Sequence, residues 1–205
     1  MKRPTGRAAQ IRLLVLDVDG VLTDGGLSYG PSGEESKRFH VHDGLAIVAA
    51  QRAGLAVALI SGRASGSVTR RAAELGIAEV HQGVEDKGAV LAQLTARLGL
   101  APEQVAAMGD DLGDLPLMRR VGLALAPRNA VQEVRRAAHW VSRRRGGDGA
   151  VRQAVELLLR ARNAWPPPAA SGRRLRADSA ASATAAARLA TPRRGRGSRG
   201  STGRE

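Results

Sequence analysis

At 205 residues, 43% hydrophobic and 25% charged, the chain can bury one ordinary core with some length to spare, so a single folded domain is expected. Cysteine is absent, which excludes a disulfide framework and a thiolate metal site and fits a reducing cytoplasm. The net charge of +13 invites a nucleic-acid partner, but nine Arg against Asp178 and Glu205 put seven of those charges into residues 164–205, and with 2% aromatic residues there is little to stack on bases, so nucleic acid is not expected.

Residues 1–10 form a basic arm with no apolar stretch behind it. No run approaches the roughly 18 apolar residues of a membrane span, so neither a leader nor a membrane anchor is expected, and the protein reads as cytoplasmic. Residues 11–16 then form a short apolar run bounded by turn residues, the pattern of a strand buried on both faces. At its end stand Asp17, Asp19 and Gly20. An Asp-Gly turn accounts for one aspartate, not for two. Side chains at i and i+2 of an extended segment point the same way, so the two carboxylates converge and repel unless a cation lies between them. At the carboxyl end of a parallel strand, where open α/β sheets bind ligands, such a pair suits a Mg²⁺ site or a nucleophile with its acid.

Residues 25–42 hold two β-prone pieces, 27–29 and 37–41, around Gly30, Pro31, Ser32 and Gly33, which reads as a hairpin projecting from the sheet. On its second piece His40 and His42 share one face. Four histidines and no cysteine leave no third ligand to nominate, so a substrate-facing or exposed hairpin face is expected there rather than zinc. Asp43 reads as the cap of a helix running to about 53 and closed by Gly54. The alternation continues with a strand at 55–60, a helix to 75, a strand at 79–81, a helix at 86–98 and a strand at 104–108. A helix at 115–120, a strand at 121–125, a helix from 130, a strand at 139–141 and a helix at 150–162 complete the body. This predicts an α/β fold, a Rossmann-like parallel sheet with helices on both faces and right-handed crossovers, plus the projecting hairpin. The body is expected to span 11–163. Residues 164–205 open on Pro166, Pro167 and Pro168, are rich in Ala and Arg, and lack the apolar surface to offset their ordering entropy, so a disordered tail is expected.

Three strand ends carry reactive side chains. Ser61 follows the second strand, where its hydroxyl and the free helix amides suit an anion, although a plain helix cap explains it as well. Lys87 falls in the first turn of its helix, where a cation opposes the macrodipole by roughly 0.3–1 kcal/mol. Either the cap Asp86 offsets that cost or a phosphate recruits the lysine. Asp111 and Asp114 have ordinary roles as cap and first-turn acid, which leaves Asp110 unexplained. Asp17 and Asp110 on adjacent strands would supply the one or two carboxylates that Mg²⁺ takes beside a substrate phosphate.

DVDGVLTDG, SGR at 61–63, Lys87 and GDDLGD together resemble the four motifs of the haloacid dehalogenase superfamily of phosphatases. GEESKRFHVHDG, GDDLGDLPLM and GGDGAVRQAVELLL resemble more closely its small, capless branch, typified by 3-deoxy-D-manno-octulosonate 8-phosphate phosphatase, and the similarity runs in order from 12 to 162. Ser61 stands where many members have Thr, and Asp148 where relatives carry a basic residue. The resemblance implies that Asp17 attacks phosphorus and that Asp19 protonates the leaving oxygen and later activates water. It implies Mg²⁺ held by Asp17, the Asp19 carbonyl and Asp110, with Ser61 and Lys87 on the phosphoryl oxygens and Asp111 and Asp114 behind the ligands. Asp19, His40, Val41, His42, Asp43, Gly44, Arg63, Arg71 and Lys87 would contact a small sugar-acid phosphate. The hairpin would assemble a homotetramer whose neighbouring subunits close the site. Members of this branch act on other sugar-acid phosphates, such as an acylneuraminate 9-phosphate, so the substrate stays open. From the residues alone, a phosphate-accepting receiver domain also sets acids, a hydroxyl and a lysine on a parallel sheet, although it lacks the Asp-x-Asp pair.

Overall fold

The computed structural model describes residues 5–167; the expected tail from residue 168 onward, like residues 1–4, lies outside the described residues. The strands are β1 (Leu13–Leu16), β2 (Ser28–Tyr29), β3 (Glu35–Ser36), β4 (Ala56–Ile60), β5 (Glu79–His81), β6 (Val105–Met108), β7 (Leu123–Ala126) and β8 (Trp140–Val141). The helices are α1 (Thr5–Ala8), α2 (Val41–Arg52), α3 (Gly66–Leu75), α4 (Lys87–Leu98), α5 (Leu115–Met118), α6 (Gln132–Ala137) and α7 (Ala150–Ala161).

β1 is apolar and fully buried at every position, so it needs a strand on each edge and a layer on each face. It finds both. Six parallel strands run in the order β5-β4-β1-β6-β7-β8. Alternate residues of β1 serve opposite faces: Leu14 and Leu16 pack with Ile47 of α2 and Val151 and Leu158 of α7, while Leu13 and Val15 pack with Leu91 and Leu94 of α4 and Val134 of α6. Leu16 pairs with Leu59 of β4 and Met108 of β6. That register brings the carboxyl ends of the three central strands level, so Asp17, Ser61 and Asp110 leave the sheet along one edge. Among the described residues no helix is long and apolar enough to cross a membrane.

The hairpin is shorter than its sequence suggests. β2 and β3 pair only Ser28 with Ser36 and Tyr29 with Glu35. Residues 37–40 leave it as irregular chain, and Val41 and His42 already belong to α2. The cause is Phe39, which packs on the core of its own subunit and draws the chain inward. His40 and His42 therefore share no strand face; His40 is the residue before α2, and the two rings meet edge to face at 5.0 Å.

Asp43 does not cap its own helix. It lies in the first turn of α2, 1% exposed, and its carboxylate accepts the main-chain N–H groups of Gly149 at 3.2 Å and Arg152 at 2.7 Å. It thus caps α7, whose own N-terminal residue Gly149 has no side chain to do so. The ordered body also reaches past residues 11–163. Ala8 of α1 is fully buried, and Arg7 donates to the Gly122 carbonyl at 2.8 Å. Beyond α7, Ala164 and Trp165 pack against the core, with the Arg152 guanidinium 4.6 Å over the Trp165 ring.

Removing the α7 cap leaves two buried amides without acceptors. Asp43→Ala is expected to lower the unfolding free energy by about 1–3 kcal/mol, and Asp43→Asn by less because it keeps one acceptor oxygen. Denaturant titration checks this; a loss under about 0.3 kcal/mol for the alanine variant would mean that α7 finds its acceptors elsewhere.

Candidate active site

Asp17 extends β1 by one residue, its N–H donating to the Met108 carbonyl at 3.0 Å. Lys87, the first residue of α4, reaches it across the sheet edge: its Nζ donates to Asp17 Oδ1 and to Asp114 Oδ1, each at 2.7 Å. All three side chains are buried. Asp114 Oδ2 accepts the N–H groups of Asp110 at 2.8 Å and Asp111 at 3.2 Å, which fixes the turn after β6. A side chain at Gly109 would collide with Asp114, and one at Gly20, where φ is +87, would collide with the Asp110 carboxylate. Both glycines make room for acids to gather. Thr23 Oγ1 accepts the N–H groups of Gly20 at 3.3 Å and Gly25 at 3.2 Å and so orders the turn that carries Asp19.

One oxygen from each of Asp17, Asp110 and Asp114 lies within 4.8 Å of the other two. A single ammonium cannot neutralise three carboxylates at that spacing. Burial, followed by the charges of Asp17 and Asp114, pushes the Asp110 carboxyl up to about 8. Burial and then Asp114 raise Asp17 as well, against the pull of Lys87. For Lys87 burial disfavours the charge, and Asp17 and Asp114 outweigh it, so the ammonium is held above its usual range. Asp110 Oδ1 is buried and has no hydrogen-bond partner. An orphaned carboxylate oxygen beside two more carboxylates suits a hard divalent cation with oxygen ligands. Asp114 already accepts from Lys87 and from main-chain amides, and Asp17 from Lys87, whereas Asp110 Oδ1 has no such partner. From local sequence Asp114 reads as a first-turn acid, and the family resemblance sets it behind the ligands; its side chain ties Lys87 to the β6 turn.

The Asp19 carboxylate keeps different company. Lys37 Nζ lies 2.5 Å from its Oδ1, and Arg63 Nε lies 3.8 Å from its Oδ2. Glu35 joins the two cations, with Oε1 3.1 Å from Lys37 and Oε2 2.6 Å from Arg63. Its bonds to Arg63 and then Lys37 hold the Glu35 carboxyl down to about 2. Burial opposes the charge on Lys37, yet the bonds to Asp19 and Glu35 raise it above its usual range. Sequence reading missed Lys37 and Glu35, because charges in a hairpin read as solvated. The signal available was their spacing of two, which sets both on one side of an extended chain.

The remaining candidates border these two groups. Ser61 is buried at the end of β4, and its Oγ accepts the Arg63 N–H at 3.3 Å, which leaves the hydroxyl proton to donate. Arg71 lies against Gly44, where a side chain would collide with its guanidinium; it sits 5.9 Å over the Phe39 ring and pairs with Glu74 at 3.2 Å. His40 Nε2 is 4.0 Å from Asp148, and Val41 is exposed. Asp43 spends one bond from each carboxylate oxygen on α7 and is 1% exposed. A cavity of about 690 Å³, lined by Arg7, Leu91 and Arg120 among others, contains none of these reactive residues.

Residues 72–153 match the family model of haloacid dehalogenase-like hydrolases. Over 153 residues the chain is 46% identical to 3-deoxy-D-manno-octulosonate 8-phosphate phosphatase KdsC of Escherichia coli strain K12, covering 75% of this chain and 81% of that protein. The crystal structure of a probable YrbI family phosphatase from Pseudomonas syringae is 49% identical, with a TM-score of 0.76 over 77% of this chain and 90% of the other. That of 3-deoxy-D-manno-octulosonate 8-phosphate phosphatase from Moraxella catarrhalis, in complex with magnesium ion, phosphate ion and a KDO molecule, is 40% identical, with a TM-score of 0.78 over 80% and 94%. Identity at this level over most of both chains, on a shared fold, is what common descent produces, and the chain belongs to the haloacid dehalogenase-like hydrolases, alongside the 3-deoxy-D-manno-octulosonate 8-phosphate phosphatases.

Proposed function

We propose that this protein is a Mg²⁺-dependent phosphatase that hydrolyses 3-deoxy-D-manno-octulosonate 8-phosphate in the cytoplasm, working as a homotetramer through an aspartyl-phosphate on Asp17. The observation that carries this reading is the buried Asp17 held by Lys87 beside Asp110 and Asp114, in a chain 46% identical to a phosphatase named for that substrate. Asp17 and Asp110, with the Asp19 main-chain carbonyl, would hold the cation. When bound, Mg²⁺ neutralises charge on the phosphoryl group and on the carboxylates around it.

The chain's own residues then divide the work. Lys87 keeps one Asp17 oxygen fixed, so the other is presented to phosphorus in a single orientation. Asp17 forms the new P–O bond as the ester P–O bond breaks, and the departing oxygen takes the electron pair and a proton from Asp19. Water then attacks phosphorus and gives a proton to Asp19, which restores the Asp17 carboxylate and yields inorganic phosphate. Ser61 and Lys87 donate to the phosphoryl oxygens throughout. Arg63 and Arg71, with the main chain of residues 40–44, receive the sugar acid, whose carboxylate suits a guanidinium. Asp43 serves that segment by tying the start of α2 to α7.

Phosphate release from 3-deoxy-D-manno-octulosonate 8-phosphate is the direct test, and it is expected to vanish on chelation and return with Mg²⁺. The folded value of about 8 for Asp110 lies above the ordinary 3.8. Metal-free protein therefore loses stability as pH rises between those values, and a cation must displace a proton to bind at the lower end. Mg²⁺ is accordingly expected to raise the melting temperature more at about pH 8 than at about pH 6. Release that resists chelation, or an equal shift at both pH values, contradicts the reading.

The assembly reading rests on exposed apolar side chains: Leu27 is 49% exposed, Tyr29 59% and Val41 68%. Phe39, by contrast, packs partly buried against its own subunit's core. Asp17 is buried and Asp19 keeps a 21% exposed side chain at the sheet edge; among the described residues no cap domain covers them, and a neighbour's hairpin would exclude water from Asp19. Charged substitutions at Leu27 and Tyr29 are expected to give monomers by light scattering, with lower kcat and weaker substrate selectivity. Monomers with full kcat and selectivity would separate assembly from the site.

A further inference from the structure

Lys37 is the charged residue whose placement the chemistry above leaves unexplained. Its side chain is 1% exposed although it follows a two-residue strand of a small hairpin. Arg38, its neighbour, makes the kind of pair such a segment usually carries: an ion pair with Asp24 in which the two side chains are 70% and 47% exposed. Such a pair is screened by solvent and fixes little. A buried ammonium loses its hydration and persists only where carboxylates replace it. Lys37 has two of them, Asp19 and Glu35.

We propose that Lys37 is a positioning residue for Asp19, through which the hairpin sets the direction of the carboxylate that passes protons to and from the reacting oxygens. The chain of contacts is continuous. Pairing of Tyr29 with Glu35 places Glu35 on β3. Glu35 then spans Lys37 and Arg63, and these two cations stand on the two oxygens of Asp19, one at 2.5 Å and the other at 3.8 Å. The shorter contact decides the rotation of the carboxyl group, since the Arg63 distance is too long for a hydrogen bond. Arg63 is 46% exposed and, although paired with Glu35, keeps a solvent-facing side that can meet a substrate anion; Lys37 is enclosed and serves Asp19 and Glu35. This division gives the hairpin a task within one subunit, separate from assembly.

This inference rests on the phosphatase reading, and its test separates the two. An alkyl phosphate needs a proton on its leaving oxygen, whereas p-nitrophenyl phosphate loses nitrophenolate without one. In Lys37→Met, kcat for the sugar phosphate is expected to fall about ten- to a hundredfold, a share of what general acid–base catalysis supplies, with KM changed less than about threefold. Single-turnover release of nitrophenolate is expected to stay within about threefold of wild type, so that the aryl ester shows a burst followed by slow turnover. Lys37→Arg, which keeps the charge, is expected to recover part of the loss; Lys37→Gln replaces the Met variant in the same comparison if that variant does not fold. Equal losses on both esters, or none on either, overturn the role of Lys37. A wild-type protein that cleaves neither ester overturns the phosphatase reading itself.

Discussion

Lys87 between Asp17 and Asp114 is the contact on which the site depends. Each ion taken from water costs several kcal/mol, and removing one partner of a buried pair costs about 3–5 kcal/mol. The arrangement is therefore kept only where every oxygen finds a donor or a cation. The main-chain amides of Asp110 and Asp111 take one oxygen of Asp114, and Lys87 takes the other. Asp110 is left over, with a buried oxygen that finds no hydrogen-bond partner among the described residues. Three carboxylates against one ammonium leave two negative charges, the complement of a divalent cation.

The sheet exists to hold this negative charge at one edge. Leu16 paired with Leu59 and Met108 fixes the level at which three chains leave the sheet, and Gly20 and Gly109 let the acids close in. The second constellation, around Asp19, is carried differently. Its cations come from the residue just past the hairpin and from the turn after β4, outside the central strands. On the proposed mechanism, the two aspartates are thus held by separate sets of contacts, one for the nucleophile and one for the group that meets, in turn, a leaving oxygen and a water.

The sheet was legible because its signals are local and repetitive: apolar runs of strand length, helices closed at Gly76 and Gly99, and aspartates just past the strands. Asp17, Lys87 and Asp110 could be named from their positions at element ends. What stayed hidden depends on partners far along the chain. Asp43 looks like a cap for the helix that contains it, and only tertiary packing gives it to α7 more than a hundred residues later. Lys37 looks solvated until Asp19, eighteen residues earlier, and Glu35 take its ammonium. Asp114 looks like a first-turn acid until Lys87 arrives from another helix. Propensity and spacing report neighbours in sequence, and these three residues act on neighbours in space.

The central claim is that Asp17 carries the phosphoryl group between substrate and water. Acid quenching during turnover of 3-deoxy-D-manno-octulosonate 8-phosphate, followed by peptide mass spectrometry, measures this directly. The account predicts one phosphoryl group on the peptide containing Asp17, absent from Asp17→Asn. Rapid phosphate release with no phosphorylated peptide, or with the group on another residue, would contradict it.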